Sequence, residues 1–412
     1  MVLVFLTTSI TFKFLGNNEY GLWVTIYSII SWAYLLDFGF SNVVKTKLPT
    51  LLDKSEKEVS TLISTIYIGI IIISLVIIII AFLLQFFISY SDFLNIDESF
   101  SGFNTLLFLN LFFSVLILII GNYKALYAGA IKTHVVEFSM MLIQLLVFVL
   151  LFIFYYFNFL SDTSRIWIVS LVFGVVNLSV GIGFTLFFLY RHPKIKISHK
   201  YFDFSILKKN TSLGLKYFII QICMIIIYST DYVLITKYFG SKEVANYDVV
   251  LKLFQAPMLL VIAGLSPFWS IFSKTFEEKK FHWIKKTLTI YNFLFILFII
   301  GIMILTLIID KLIFWWLNEN THTSKFLLLV ISIYIIMRTY TAMYNYFLNG
   351  INKINLSLLL TIFGAIINIP ICIILIKLGY GVSGIVIGTC ISILPTTIAL
   401  PIQSFRIINS KL

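Results

Sequence analysis

The chain is 412 residues long, 60% hydrophobic and only 12% charged, with a formal net charge of +12 and a mean hydropathy of +1.02. A soluble domain carries about 25% charged residues, so this composition excludes a water-covered globule, and the excess of Lys and Arg belongs beside a membrane rather than on nucleic acid. The three cysteines sit singly in apolar runs and the five histidines lack a ligand spacing, so neither a disulfide framework, a metal site nor a cofactor is expected.

Crossing a bilayer takes about 20 mainly apolar residues, and in lipid each such segment must be a helix that satisfies its own backbone. In chain order the predicted spans are 1–15, 21–43, 60–88, 104–123, 135–158, 165–189, 217–238, 246–272, 287–309, 326–348, 356–376 and 382–404, twelve in all. The first is short, because fifteen residues rise about 22 Å, and it lacks the basic head and cleavage site of a signal peptide. It reads as a span whose head lies upstream of Met1, or as one partly sunk against its neighbours, with the first reading favoured. The predicted organisation is an N-terminal six-helix bundle (1–190), a basic cytoplasmic linker (191–216) and a C-terminal six-helix bundle (217–412).

With the N-terminus taken as cytoplasmic, 21 Lys and Arg fall on the inner side and seven on the outer. That bias places both termini on the cytoplasmic side of a membrane that the chain crosses many times.

Two phrases recur across the halves. KFLGNNEYGLW at 13–23 and KYFGSKEVANY at 237–247 are offset by 224 residues, and YAGAIK at 127–132 and LNGINK at 348–353 by 221. Each copy falls at the same turn of its half. Because six spans is an even number, the halves share an orientation, a parallel repeat about an axis normal to the membrane. The plainer reading, chance recurrence of short aromatic-glycine turns, is less favoured because two echoes fall in matching places.

Charges within spans are costly and normally face an interior with a partner. Seventh-span Gln221, Tyr228 and Asp231 share a face, as do eighth-span Asp248, Lys252 and Gln255, and tenth-span Tyr334, Arg338, Thr341 and Asn345. Asp231 and Lys252 fall at similar depth. Either Asp231–Lys252 or Asp248–Lys252 is a structural ion pair joining helices 7 and 8, or these groups line a polar lumen; the two readings stand about even. Arg338 has no acidic residue within reach on its own helix, which favours a cation facing a cavity. In the first half, Trp23, Tyr27, Ser31 and Tyr34 form a stripe ending at Asp37; Trp23 reads as an interfacial belt residue, Asp37 as a membrane-edge cap and Lys124 as a snorkelling cation. His134, Glu137, Met141 and Gln144 share a face of the fifth span, near the cytoplasmic side.

KFLGNNEYGLW followed by SIISWAYLLDFGFSN resembles the first two helices of bacterial polysaccharide exporters of the O-antigen-flippase type, in the multidrug/oligosaccharidyl-lipid/polysaccharide exporter superfamily. STDYVLITKYFGSKEVANYDVVLKLF resembles that family's passage from helix seven to helix eight. The resemblance covers essentially the whole chain; its departures are the missing head of helix 1 and a first half with few cations. It implies an all-α polytopic membrane protein, twelve transmembrane helices in two pseudo-symmetric bundles, that alternates between inward- and outward-open states. The implied cargo is an undecaprenyl-diphosphate-linked oligosaccharide flipped to the outer leaflet for surface polysaccharide assembly, with a polymerase and glycosyltransferases as pathway partners. Arg338, Lys252, Asp231, Tyr228, Tyr334, Asn345, Tyr27 and Tyr34 are then the expected substrate-binding residues. Asp231 and Asp248 are the candidates for coupling to an H⁺ or Na⁺ gradient, and the membrane potential is a further driving force. The near rival is a small-molecule or drug antiporter of the same superfamily. A membrane polysaccharide polymerase or ligase is disfavoured by short outer loops without a paired acid and base.

Overall fold

The structure is a computed structural model. It describes residues 2–33, 40–41, 44, 48, 51, 55–87, 90–94, 102–130, 132–157, 165–265, 268–317, 323–351 and 353–412. Among these there is no strand. The longer helices are α1 Val2–Ala33, α2 Glu56–Phe87, α3 Phe103–Ile120, α4 Tyr123–Gly129, α5 Thr133–Phe157, α6 Arg165–Arg191, α7 Phe204–Phe239, α8 Ser241–Leu265, α9 Phe268–Glu277, α10 Phe281–Leu317, α11 Lys325–Gly350, α12 Asn355–Lys377 and α13 Gly381–Asn409, with a single helical turn at Tyr90–Phe93. Ten segments among the described residues are long and apolar enough to cross a membrane, with α3 and α4 together forming one of them. The protein is thus an all-helical polytopic membrane protein.

The two arms of α1 correspond to the first two predicted spans. They part at Gly16, whose backbone (φ 73°, ψ 174°) leaves the helical region. The break lets the Phe12 and Tyr20 rings meet edge-on at 5.1 Å. Residues 34–39, which include the predicted Tyr34 and Asp37, lie outside the described residues. The eighth span, expected as 246–272, divides into α8 and α9. The helix after the basic stretch begins at Phe204 instead of 217, its first turn capped by Asp203, whose side chain accepts from the Ser205 N–H.

The chain falls into two compact units, Met1–Ile222 with Thr236–Ser241, and Cys223–Ile235 with Lys242–Leu412. The hexapeptide 236–241 groups with the first: Thr236 Oγ1 lies 2.5 Å from Thr25 Oγ1, and the Ser241 carbonyl occupies the place a Cβ on Gly21 would take. Each unit has its own apolar core. Leu48, Ile63, Ile66, Tyr127 and Phe188 belong to the first; Phe272, Ile284, Leu288, Tyr344, Phe347 and Leu400 belong to the second. In the second unit α12 and α13 approach closely because small residues line the contact. A Cβ on Gly364 would stand 2.5 Å from the Ser392 carbonyl oxygen, and one on Gly388 would stand 3.0 Å from the Cys372 nitrogen.

The repeated phrases fold alike. Gly240 (φ 86°, ψ 168°) adopts nearly the backbone of Gly16, in a region open essentially to glycine alone. At the second echo, the Lys132 N–H donates to Tyr127 O at 2.8 Å and the Lys353 N–H to Leu348 O at 2.9 Å, closing the same turn after Gly129 and Gly350.

Candidate functional site

The second unit concentrates its polar side chains where α7, α8, α11, α12 and α13 meet. Asp231 of α7 is 1% exposed. Its Oδ2 accepts from the Tyr247 hydroxyl of α8 at 3.1 Å, and its Oδ1 accepts from the Thr389 hydroxyl of α13 at 3.0 Å. Thr389 in turn lies 3.4 Å from Asn368 Nδ2 of α12, which also reaches Ser392 Oγ at 3.3 Å, while Thr230 Oγ1 donates to Asn368 Oδ1 at 3.4 Å. A carboxylate is therefore embedded among neutral oxygens and an amide. That donor set suits a proton on Asp231 or a hard monovalent cation beside it, since hard cations prefer oxygen ligands. Among the described residues no group of three or more His, Cys, Asp or Glu could hold a metal ion.

Of the two predicted ion pairs, the one that forms is local. Lys252 Nζ lies 2.8 Å from Asp248 Oδ2, one turn apart on α8. Asp248 Oδ1 also accepts from the Tyr232 hydroxyl at 3.1 Å. Lys252 thus pairs along its own helix, and Asp231 is held by hydroxyls.

Arg338 of α11 lies over the Tyr228 ring, 4.4 Å from its centroid, and donates to the Tyr334 hydroxyl at 3.1 Å. Among the described residues no carboxylate lies within 4.0 Å of its guanidinium. A half-buried cation on an aromatic platform keeps donors for an incoming anion, and the guanidinium fork matches phosphate or carboxylate oxygens.

Asn345 lies apart from this cluster, accepting from Ser357 Oγ at 3.1 Å. Tyr27 is in the first unit and lines a separate cavity of about 360 Å³ with Trp23, Phe173, Asn110, Asn177 and Lys124. Trp23 is not an interfacial belt residue. It is buried, with its ring 5.0 Å from Phe173 and 5.9 Å from Tyr27. Lys124 borders the cavity, and no carboxylate is among the lining residues described.

Sequence reasoning missed Tyr247 and Thr389 as partners of Asp231, and Asn368 as the amide behind Thr389. Tyr247 was visible as the last aromatic of the repeated phrase. Thr389 and Asn368 gave weak signals, because Ser, Thr and Asn within apolar helices often bond their own backbone, as Thr389 does to Ile385 O at 3.2 Å.

Comparison with known proteins adds the following. A sequence profile of the MatE family matches residues 217–374, less than half of the chain. No curated protein sequence matches. Among solved structures, the inward-facing conformation of a multidrug resistance MATE family transporter of the MOP superfamily superposes with a TM-score of 0.77 at 16% identity, covering 100% of this chain and 95% of that one. An outward-facing conformation of such a transporter gives 0.65 at 16% identity over the same shares. A MOP superfamily transporter from Pyrococcus furiosus, described by a binding pocket of reverse polarity, gives 0.65 at 18% identity, covering 98% and 91%. These likenesses define the class: the chain has the two-bundle helical fold of MATE transporters. Its second half also carries the MatE sequence pattern.

Proposed function

We propose that the chain is an alternating-access membrane transporter, not an enzyme, that exchanges a small organic solute bearing an acidic group for a cation. The fold it shares with multidrug transporters supports the small-molecule reading. The observation that carries the acidic cargo is Arg338, held on Tyr228 and Tyr334 with Asp231 as a charged neighbour but, among the described residues, no carboxylate within 4.0 Å to take up its donors. Asp231 is the coupling group. Buried among hydroxyls, it holds H⁺ or Na⁺ in one state and must release it in another, since an uncompensated buried carboxylate is strongly disfavoured. Cargo and cation move the equilibrium only as far as their affinities differ between the two states. The excess of inner Lys and Arg supports a cytoplasmic-membrane location with both termini inside.

A second reading, a lipid-linked oligosaccharide as cargo, is favoured by the first unit's cavity. Its aromatic rings, asparagines and Lys124 suit sugar faces, hydroxyls and a diphosphate. A dianion leaving a negative interior gains about 2.3 kcal/mol per charge per 100 mV. Transport by the purified chain in vesicles, with matched fluorescent acids and cations, tests both. The antiporter reading expects accumulation of the acid under an imposed H⁺ or Na⁺ gradient, abolished by Arg338→Gln and partly kept by Arg338→Lys. Preference for cations, unaffected by Arg338→Gln, refutes the acidic cargo. Restoration of surface polysaccharide in cells lacking their own exporter, without uptake of small acids, moves the assignment to the second reading.

A further inference from the structure

The basic stretch after α6 is a fixed strap. Lys196 N–H donates to Ser60 Oγ at 3.1 Å, Ser64 Oγ donates to Lys196 O at 3.1 Å and accepts from Ser198 N–H at 3.0 Å, and Asp203 N–H donates to Thr65 Oγ1 at 2.9 Å. Ser60, Ser64 and Thr65 of α2 are all buried. Their hydroxyls do for the strap what a neighbouring strand would do, pairing its backbone so that its side chains point in set directions. Ile195 is buried, whereas Lys194, Lys196 and Lys200 are exposed. A single 3₁₀ turn at His199–Tyr201, capped by Ser198, ends the strap.

Around these lysines the surface is apolar. Tyr190 is 80% exposed and Phe204 66%, with Ile197 and Phe202 also exposed. Between α2 and the strap lies a cavity of about 230 Å³ lined by Glu56, Val59, Arg191, His192, Pro193, Lys194 and Ile195. Lys194 and Glu56 form one wall through an ion pair of 2.7 Å. Arg191 stacks over Phe187 at 5.2 Å, and among the described residues no carboxylate lies within 4.0 Å of it or of Lys196 or Lys200. Burial, and then the charge of Lys132, hold His192 below its ordinary value, so near pH 7 it is a neutral hydrogen-bonding wall.

We propose that the strap and its cavity bind anionic phospholipid of the leaflet they face. The Arg191 fork takes the phosphodiester, Lys196 and Lys200 hold neighbouring headgroups, and Tyr190, Ile197, Phe202 and Phe204 lie at the level where headgroups give way to acyl chains. Basic clusters at helix ends recognise anionic lipid in this way, and aromatic residues settle at that interface. Because the strap leads directly into α7, the lipid reads the segment by which the chain leaves its first unit.

The test is native mass spectrometry of the full chain in detergent, titrated with phosphatidylglycerol or phosphatidylcholine. The Lys196→Gln/Lys200→Gln double variant is compared with Lys285→Gln/Lys286→Gln, an equal charge loss at the start of α10. The strap variant should lose phosphatidylglycerol affinity on the order of tenfold, given about fivefold per lysine before screening, and keep phosphatidylcholine binding and its melting temperature. The α10 variant should change less than twofold. Equal losses in both variants, or undiminished phosphatidylglycerol binding by the strap variant, overturn the proposal.

Discussion

Asp231→Asn separates coupling from folding. The wild-type carboxylate accepts two hydroxyl hydrogen bonds, from Tyr247 at 3.1 Å and Thr389 at 3.0 Å. An asparagine carbonyl still accepts from Tyr247. Its amide donates to Thr389 Oγ1, whose proton then turns to the Ile385 carbonyl, 3.2 Å away. Every hydrogen-bond partner stays satisfied, so the cost to stability is mainly the lost attraction between the carboxylate and the neighbouring Arg338 charge, about 1 kcal/mol. Asp231→Ala instead leaves the Tyr247 hydroxyl without that acceptor, at about 1–3 kcal/mol, with a cavity term added. Coupling behaves oppositely. A tenfold cation gradient is worth about 1.4 kcal/mol per ion and supports about tenfold accumulation of cargo at one ion per cargo. The amide cannot take up or release that ion, so Asp231→Asn should melt with the wild type yet equilibrate its cargo without concentrating it. The assay is accumulation in proteoliposomes under an imposed H⁺ or Na⁺ gradient, with a melting curve in detergent on the same preparation. An Asp231→Asn protein that still concentrates cargo severalfold refutes the coupling role.

Gly16→Ala and Gly240→Ala should each cost about 1–3 kcal/mol, since both glycines hold backbone that a Cβ disfavours; comparable falls in melting temperature support the equivalence of the two turns, and a cost at one site only breaks it. The Asp203 carboxyl is held below its ordinary value by hydrogen bonds from the Ser205 hydroxyl and then the Ser205 N–H, so its stabilisation of the start of α7 is present above the unfolded value, about 4, and fades as pH falls through the depressed folded value. Hydrogen exchange at Ser205 should quicken, beyond the intrinsic pH dependence, below about pH 4 in the wild type but not in Asp203→Asn.

Much of the fold was legible because lipid allows so few solutions. Apolar runs located the helices, and the phrase KFLG…KYFG located a turn that only a positive-φ glycine makes easily. The limits of legibility have local causes. The division of α8 from α9 and the early start of α7 follow from packing and capping, which hydropathy does not register. Arg338 stood out because a lone charge in an apolar helix is expensive. The partner of Lys252 was ambiguous because depth admits two carboxylates; the four-residue spacing on α8 favoured the nearer one. Trp23 was misread because an aromatic near a predicted helix end looks the same whether it faces lipid headgroups or a cavity.

The repeat also shows how one plan carries two chemistries. Counting from the paired turns, Tyr247 corresponds to Trp23, and both are buried. Counting back from Gly350 and Gly129, Arg338 corresponds to Ile117 and Tyr334 to Phe113, and both of these first-unit residues line its cavity. Asp231 corresponds to Thr7, which bonds to the Gln144 carbonyl at 3.4 Å. Equivalent positions therefore face inward in both units, but the carboxylate and the guanidinium occur only in the second. A buried charge needs nearby groups to offset its desolvation, and the second unit supplies them: Tyr247, Thr389 and the tyrosine platform. In the first unit the matching positions are apolar or hydroxyl, so a charge placed at Ile117 or Thr7 would lack that shell. The pair of charges that the proposed coupling needs is thus confined to the second unit, while the first contributes an aromatic, amide-lined cavity with Lys124 at its edge.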